Sequence, residues 1–96
     1  MKSVRYTRRA SADFDDIADY TARVWGAVQA KKYIAELRGH IQKIAAGGAY
    51  SQPLDVQREN IFKSKINRHL VIFEVSQTQI SVLRVLHEAM DVPRLV

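Results

Sequence analysis

Ile80-Ser81-Val82-Leu83-Arg84-Val85-Leu86-His87-Glu88-Ala89-Met90-Asp91 opens as an aliphatic run and closes in a polar cluster. With Gln79 in front, residues 79 to 87 read as a strand, because β-branched and aliphatic side chains suit a pleated, half-buried surface. Strict alternation along it sets Arg84 on the face opposite Leu83 and Val85. There Asp13, Asp16 and Glu74 are candidate ion-pair partners.

Working upstream, His69-Leu70-Val71-Ile72-Phe73-Glu74-Val75 and Asn60-Ile61-Phe62-Lys63-Ser64-Lys65-Ile66 read as two further strands. Gln77-Thr78 turns the first into residues 79 to 87, and Asn67-Arg68 joins the other two, although no glycine marks the turn type. Residues 49 to 59, with Pro53, read as a loop. Before the loop lie two helices. Thr7 is a candidate N-cap, and Ala10, Phe14, Ile17, Ala18, Thr21, Val24 and Trp25 follow at helical spacing. Trp25 falls on this stripe and is expected in the core. Asp13, Asp15, Asp16 and Asp19 lie off it, three of them near the positive end of the helix.

Gly26 ends the first helix. Ala30, Tyr33, Ile34, Leu37, Ile41, Ile44 and Ala45 mark the apolar face of the second, and Gly47-Gly48 ends that one. So short a break at Gly26-Ala27 folds the two helices back as an antiparallel hairpin. Lys2-Ser3-Val4-Arg5-Tyr6 alternates as a short N-terminal strand. The fold class is therefore α+β: a short strand, an antiparallel helical hairpin, then a three-stranded antiparallel meander. The hairpin is expected to cover one sheet face and leave the other partly exposed.

At 96 residues one domain spanning 1–96 is expected, and no cysteine is available for disulfides or thiolate metal sites. No apolar run reaches the length of a membrane span or a signal peptide, so a soluble cytoplasmic protein with no membrane association is expected. The net charge is +5, unevenly spread. Lys2, Arg5, Arg8 and Arg9 form one basic group, and Arg58, Lys63, Lys65 and Arg68 form another. Such surfaces attract nucleic acid or acidic protein segments.

These residues, in this order, resemble the ParE branch of the ParE/RelE toxin superfamily, the small toxins of bacterial toxin–antitoxin pairs. Ala12 followed by Asp13-Phe14-Asp15-Asp16-Ile17 is similar to the family's helix opening. Trp25-Gly26, Gln29-Ala30, Tyr33 and Leu37 fit its helix junction. His69-Leu70-Val71-Ile72-Phe73 resembles its histidine-led strand, and Arg84, Leu86-His87 and Met90-Asp91 its close. Phe73-Glu74 replaces the more frequent tyrosine–arginine pair, and residues 52 to 57 lack the glycines often found in that loop. The resemblance implies the toxin fold and a type II toxin that acts by inhibiting DNA gyrase. It also implies a cognate ParD-like antitoxin, a ribbon-helix-helix DNA-binding dimer through which any contact with DNA would pass.

RelE-like members of the superfamily cut messenger RNA on the ribosome. Cleavage by 2′-hydroxyl attack needs a base, a proton donor and cations on the phosphate. Lys63, Lys65, Arg84 and His87 are the candidates for that chemistry, but no tyrosine follows Tyr50, whereas RelE-like nucleases often carry one after the last strand. A gyrase inhibitor with no catalytic residues is therefore the favoured expectation, followed by a ribosome-dependent nuclease and by an inactive member. Arg58, Lys63, Lys65, Arg68 and Arg84 are the partner-binding candidates. No cofactor is expected, and His40 and His69 stand without metal-ligand spacing.

Overall fold

The computed structural model describes residues 1–54 and 60–89. Thr7 is extended, and its Oγ1 accepts from the Ala10 N–H at 3.1 Å while donating to the Leu83 carbonyl at 2.8 Å. One hydroxyl thus caps α1 (Arg8–Trp25) and ties its start to the last strand. Gly26 stops α1 at φ 95 with its N–H on the Ala22 carbonyl, and its own carbonyl accepts from Ala30 to open α2 (Ala27–Ala45). A side chain there would sit in the left-handed region, which glycine alone enters freely. Beyond α2, Gly48 N–H reaches the Lys43 carbonyl and Gly47 N–H that of Ile44, with Gly47 at φ 80. This paired closure satisfies carbonyls the helix end would otherwise strand.

Five strands form one sheet: β1 (Ser3–Tyr6), β2 (Gln52–Pro53), β3 (Ile61–Ile66), β4 (His69–Val75) and β5 (Gln79–His87), in the order β1-β5-β4-β3-β2. The α+β reading and the meander β3-β4-β5 hold. Two details differ from the sequence expectation. The N-terminal strand joins the sheet, running parallel to β5 with Ser3 opposite Gln79 and Tyr6 opposite Val82. The stretch read as loop contributes β2, where Pro53 is tolerated because an edge residue owes no second ladder bond. Asn67 supplies the positive φ of the β3–β4 turn at 53°, standing in for the missing glycine.

The helices cover one face of the sheet. Phe14, Leu37 and Ile41 from the helices meet Val71, Phe73, Ile80, Val82 and Val85 from the strands. Leu37 and Ile41 are fully buried, each contributing on the order of 2 kcal/mol by removal from water. The Arg38 guanidinium lies 5.4 Å from the Tyr6 ring centroid and 4.7 Å from that of Phe14, closing one side of this core with a cation over aromatic faces. Leu54, Ile61, Ile72 and Leu86 make a smaller cluster on the other face.

β5 carries a register shift: Phe73 pairs with Val82 but Ile72 with Arg84, so Leu83 is the extra residue. A bulge of this kind breaks alternation and re-aims side chains. Val82 and Val85, three apart, therefore share the helix-covered core. Arg84 meets Asp13 of helix α1, one of the ion-pair partners expected from its place in the strand.

Trp25 corrects the sequence expectation most sharply. It is 71% exposed, as are its neighbours Tyr20, Val24 and Val28 to differing degrees. The apolar stripe of α1 continues past the part of the helix that faces the sheet, so periodicity and burial part company at the hairpin tip.

Candidate functional site

The helical hairpin overhangs the adjoining ends of β4 and β5, and the space between is an open groove of about 1100 Å³. Asp13, Asp16, Ile17, Tyr20 and Trp25 of α1 form one wall, with Gln29 and Tyr33 of α2 beside them. Asn67 and Arg68 of the turn, His69 of β4 and Arg84 to His87 of β5 form the floor and far side.

Asp13 organises one end of it. Its carboxylate accepts from Arg84 Nε at 2.9 Å, from Arg84 Nη2 at 3.1 Å and from the Val85 N–H at 2.9 Å. Both side chains are largely withdrawn from solvent, at 16% and 11% exposure for Arg84 and Asp13. The hydrogen bonds to Asp13 raise the Arg84 pKa further above its ordinary value. Asp13 is therefore neither an outward aspartate nor a first-turn dipole partner, since no acid occupies the first turn of α1. Its position offered a clue in the sequence: it lies three residues after Ala10 and four before Ile17, on the buried side.

His69 and His87 face each other across the β4–β5 ladder, with ring centroids 5.7 Å apart. His69 Nδ1 and the Tyr33 hydroxyl are 2.6 Å apart, joining β4 to α2. Burial first, then the neighbouring His87, lowers the His69 pKa, with Glu88 opposing. Burial likewise raises that of Tyr33. His87 Nδ1 accepts from the Ala89 N–H at 3.1 Å, so the neutral ring carries its proton on Nε2. The contacts of His69 with Tyr33 and His87 were not visible in sequence, because they depend on strand register and helix placement, whereas the His87 bond to a neighbouring backbone group is local.

His40, too, has a partner. Its Nε2 lies 2.8 Å from the hydroxyl of buried Ser64, which itself donates to the Tyr50 carbonyl at 2.7 Å. The serine proton points at a carbonyl, so His40 donates rather than activates, and the pair pins α2 to β3. Burial lowers the His40 pKa.

The remaining candidates spread out. Lys63 and Lys65 stand opposite Ile72 and Leu70 and so share the helix-free face with that smaller cluster. His87 and His69 lie on the helix-covered face. Lys65 pairs with Glu88 at 3.2 Å and Arg68 approaches the same carboxylate at 3.9 Å, both in exposed surroundings. The hydrogen bond from Lys65 lowers the Glu88 pKa. Arg58, like Met90 and Asp91, lies outside the described residues. Among the described residues no group of three or more metal-ligating side chains converges, and no helix is long and apolar enough to cross a membrane.

Residues 4–92 match the family model described as the ParE toxin of type II toxin–antitoxin system, parDE. The chain is 36% identical over 91 residues to Toxin ParE1 of Caulobacter vibrioides, covering 95% of this chain and 94% of that protein. It is 32% identical over 92 residues to Toxin ParE of Escherichia coli, covering 95% and 89%. Among solved structures, a chain of the chromosomal ParDE TA system from P. aeruginosa superposes with a TM-score of 0.76 at 23% identity, covering 91% of this chain and 96% of that one. A YoeB dimer chain from Staphylococcus aureus shares the fold at a TM-score of 0.63 and 15% identity, covering 86% and 92%. The chain belongs to the ParE toxin family of type II toxin–antitoxin systems.

Proposed function

We propose that this toxin arrests growth by binding and inhibiting DNA gyrase, without cutting nucleic acid, and that a ParD-like antitoxin neutralises it. The observation that carries this reading is that the cations expected to serve a nuclease are either held by carboxylates or placed on the face away from His87. Arg84 is held by Asp13, Lys65 by Glu88, and the lysines lie across the sheet from His87. A phosphate in flight needs cations and a proton donor within hydrogen-bond reach of one point. The family membership and the ParE names of the relatives support the same reading.

The antitoxin follows from that family reading. Lys63, Lys65, Arg68 and Arg58 are the cations we assign to it, where an acidic segment would gain a salt-sensitive approach. Arg84 contributes by holding the groove wall rather than by meeting the partner. Purified toxin is expected to inhibit gyrase supercoiling, with ParD-like antitoxin restoring it. Ribosome-dependent cuts in messenger RNA with supercoiling untouched would overturn the proposal. That nuclease reading has one observation of its own: His69, His87, Tyr33 and Arg68 line a common groove.

A further inference from the structure

Among the described residues the exposed large apolar side chains are Met1, Tyr20, Val24, Trp25, Val28 and Tyr50. Four of these gather around Gly26 at the hairpin tip. Tyr20 and Val24 stand one helical turn apart at the end of α1, Trp25 is its last residue, and Val28 lies in the first turn of α2 at 84% exposure. A clustered patch of this kind marks a contact surface far more often than a scattered leucine does. The sole tryptophan of the chain at its centre is the residue type that most often anchors protein interfaces.

The charges around the patch indicate what covers it. Arg23 follows Tyr20 by three residues, and Lys31 and Lys32 follow Val28 by three and four, so all border the patch on helical spacing. All three cations are exposed, and they take part in none of the ion pairs found among the described residues. An apolar centre with exposed cations at its rim complements an acidic segment carrying an apolar anchor. A nucleic-acid strand would also meet cations and an aromatic face. It gains nothing from Val24 and Val28, however, and Asp16 and Asp19 repel phosphate from the α1 side.

We infer that the hairpin tip, centred on Trp25, docks an acidic, apolar-anchored segment of the protein this toxin arrests. The inference deepens the gyrase reading and rests on the toxin acting by binding. Trp25 also lines the groove beside the sheet. A partner seated in that groove therefore covers the same ring, and neutralisation can proceed by occlusion without any change of fold.

Two variants test this in the full chain: Trp25→Ser, and Lys31→Glu combined with Lys32→Glu. Because these side chains are exposed, melting temperatures are expected to stay at the wild-type value. The toxin concentration that half-inhibits gyrase supercoiling is expected to rise about tenfold or more for Trp25→Ser, the effect of losing an interface anchor. Growth arrest on induction is expected to weaken in parallel. Gyrase inhibition retained by both variants overturns the tip while leaving the gyrase reading intact. Growth arrest by the wild type that both variants lose, with supercoiling unaffected throughout, upholds the tip and overturns the gyrase reading. A shift of Trp25 fluorescence produced by a single-stranded oligonucleotide but not by gyrase overturns the protein partner. A wild-type chain that neither inhibits nor arrests overturns both.

Discussion

Asp13→Ala is expected to be among the most damaging single substitutions in this protein. The carboxylate accepts three hydrogen bonds, two from Arg84 and one from the Val85 amide. Its removal leaves a guanidinium with 16% side-chain exposure lacking its counter-charge, and strands a backbone donor at the bulge. Breaking a buried pair from one side costs about 3–5 kcal/mol, mostly because the surviving charge is uncompensated. A domain of this size is held by about 5–15 kcal/mol, and each kcal/mol moves the melting temperature by about 4–8 °C. A drop of well over 10 °C follows, read by circular dichroism because the sole tryptophan is exposed and reports poorly on unfolding. Asp13→Leu with Arg84→Met is expected to recover part of the loss, since both charges are then gone. Recovery stays incomplete, because the Val85 amide has no acceptor and an unsatisfied buried donor costs about 1–3 kcal/mol. A loss under about 1 kcal/mol for Asp13→Ala, or strictly additive single and double substitutions, would refute the argument.

Two further outcomes follow from local geometry. Burial holds the folded-state pKa of both His69 and His40 below the ordinary 6.5, so below that pH the unfolded chain binds more protons than the folded one. Stability is therefore full above about pH 6.5 and declines as pH falls toward the folded-state values; melting temperature against pH should show this, and His69→Gln with His40→Gln should flatten it. Gly26→Ala meets no atom within 4 Å yet must adopt φ 95, so it should cost about 1–2 kcal/mol; an unchanged melting temperature would show that the hairpin turn relaxes freely.

The elements most readily read from the sequence are those with local causes. Thr7, Gly26 and Gly47-Gly48 mark helix ends through caps and left-handed turns, and the three long strands announce themselves by composition. The parallel pairing of β1 with β5 has no local signature, because it joins Ser3 to Gln79 across the whole intervening chain. The bulge at Leu83 is equally silent, since a register shift leaves no mark in composition. Trp25 shows the limit of periodicity: a helical stripe states which side of a helix is apolar, not how far along it a sheet extends. For the site, the residue types were legible, and so was Asp13 among the candidate partners of Arg84, but the pairings that cross from α2 to the sheet were not. Tyr33 with His69, and His40 with Ser64, depend on where α2 crosses the strands.

The position of β5 has a consequence for how the molecule comes into being. It lies between β1 and β4, yet follows both in the chain. Upstream of Gln79 only β2, β3 and β4 can pair with one another, so β1 must wait for a partner some seventy-six positions away. Such distant pairing slows folding. A polypeptide interrupted before Gln79 leaves β1 and β4 with bare edges, open to aggregation. During synthesis the five-stranded sheet can close only when β5, the last strand made, arrives to bridge β1 and β4.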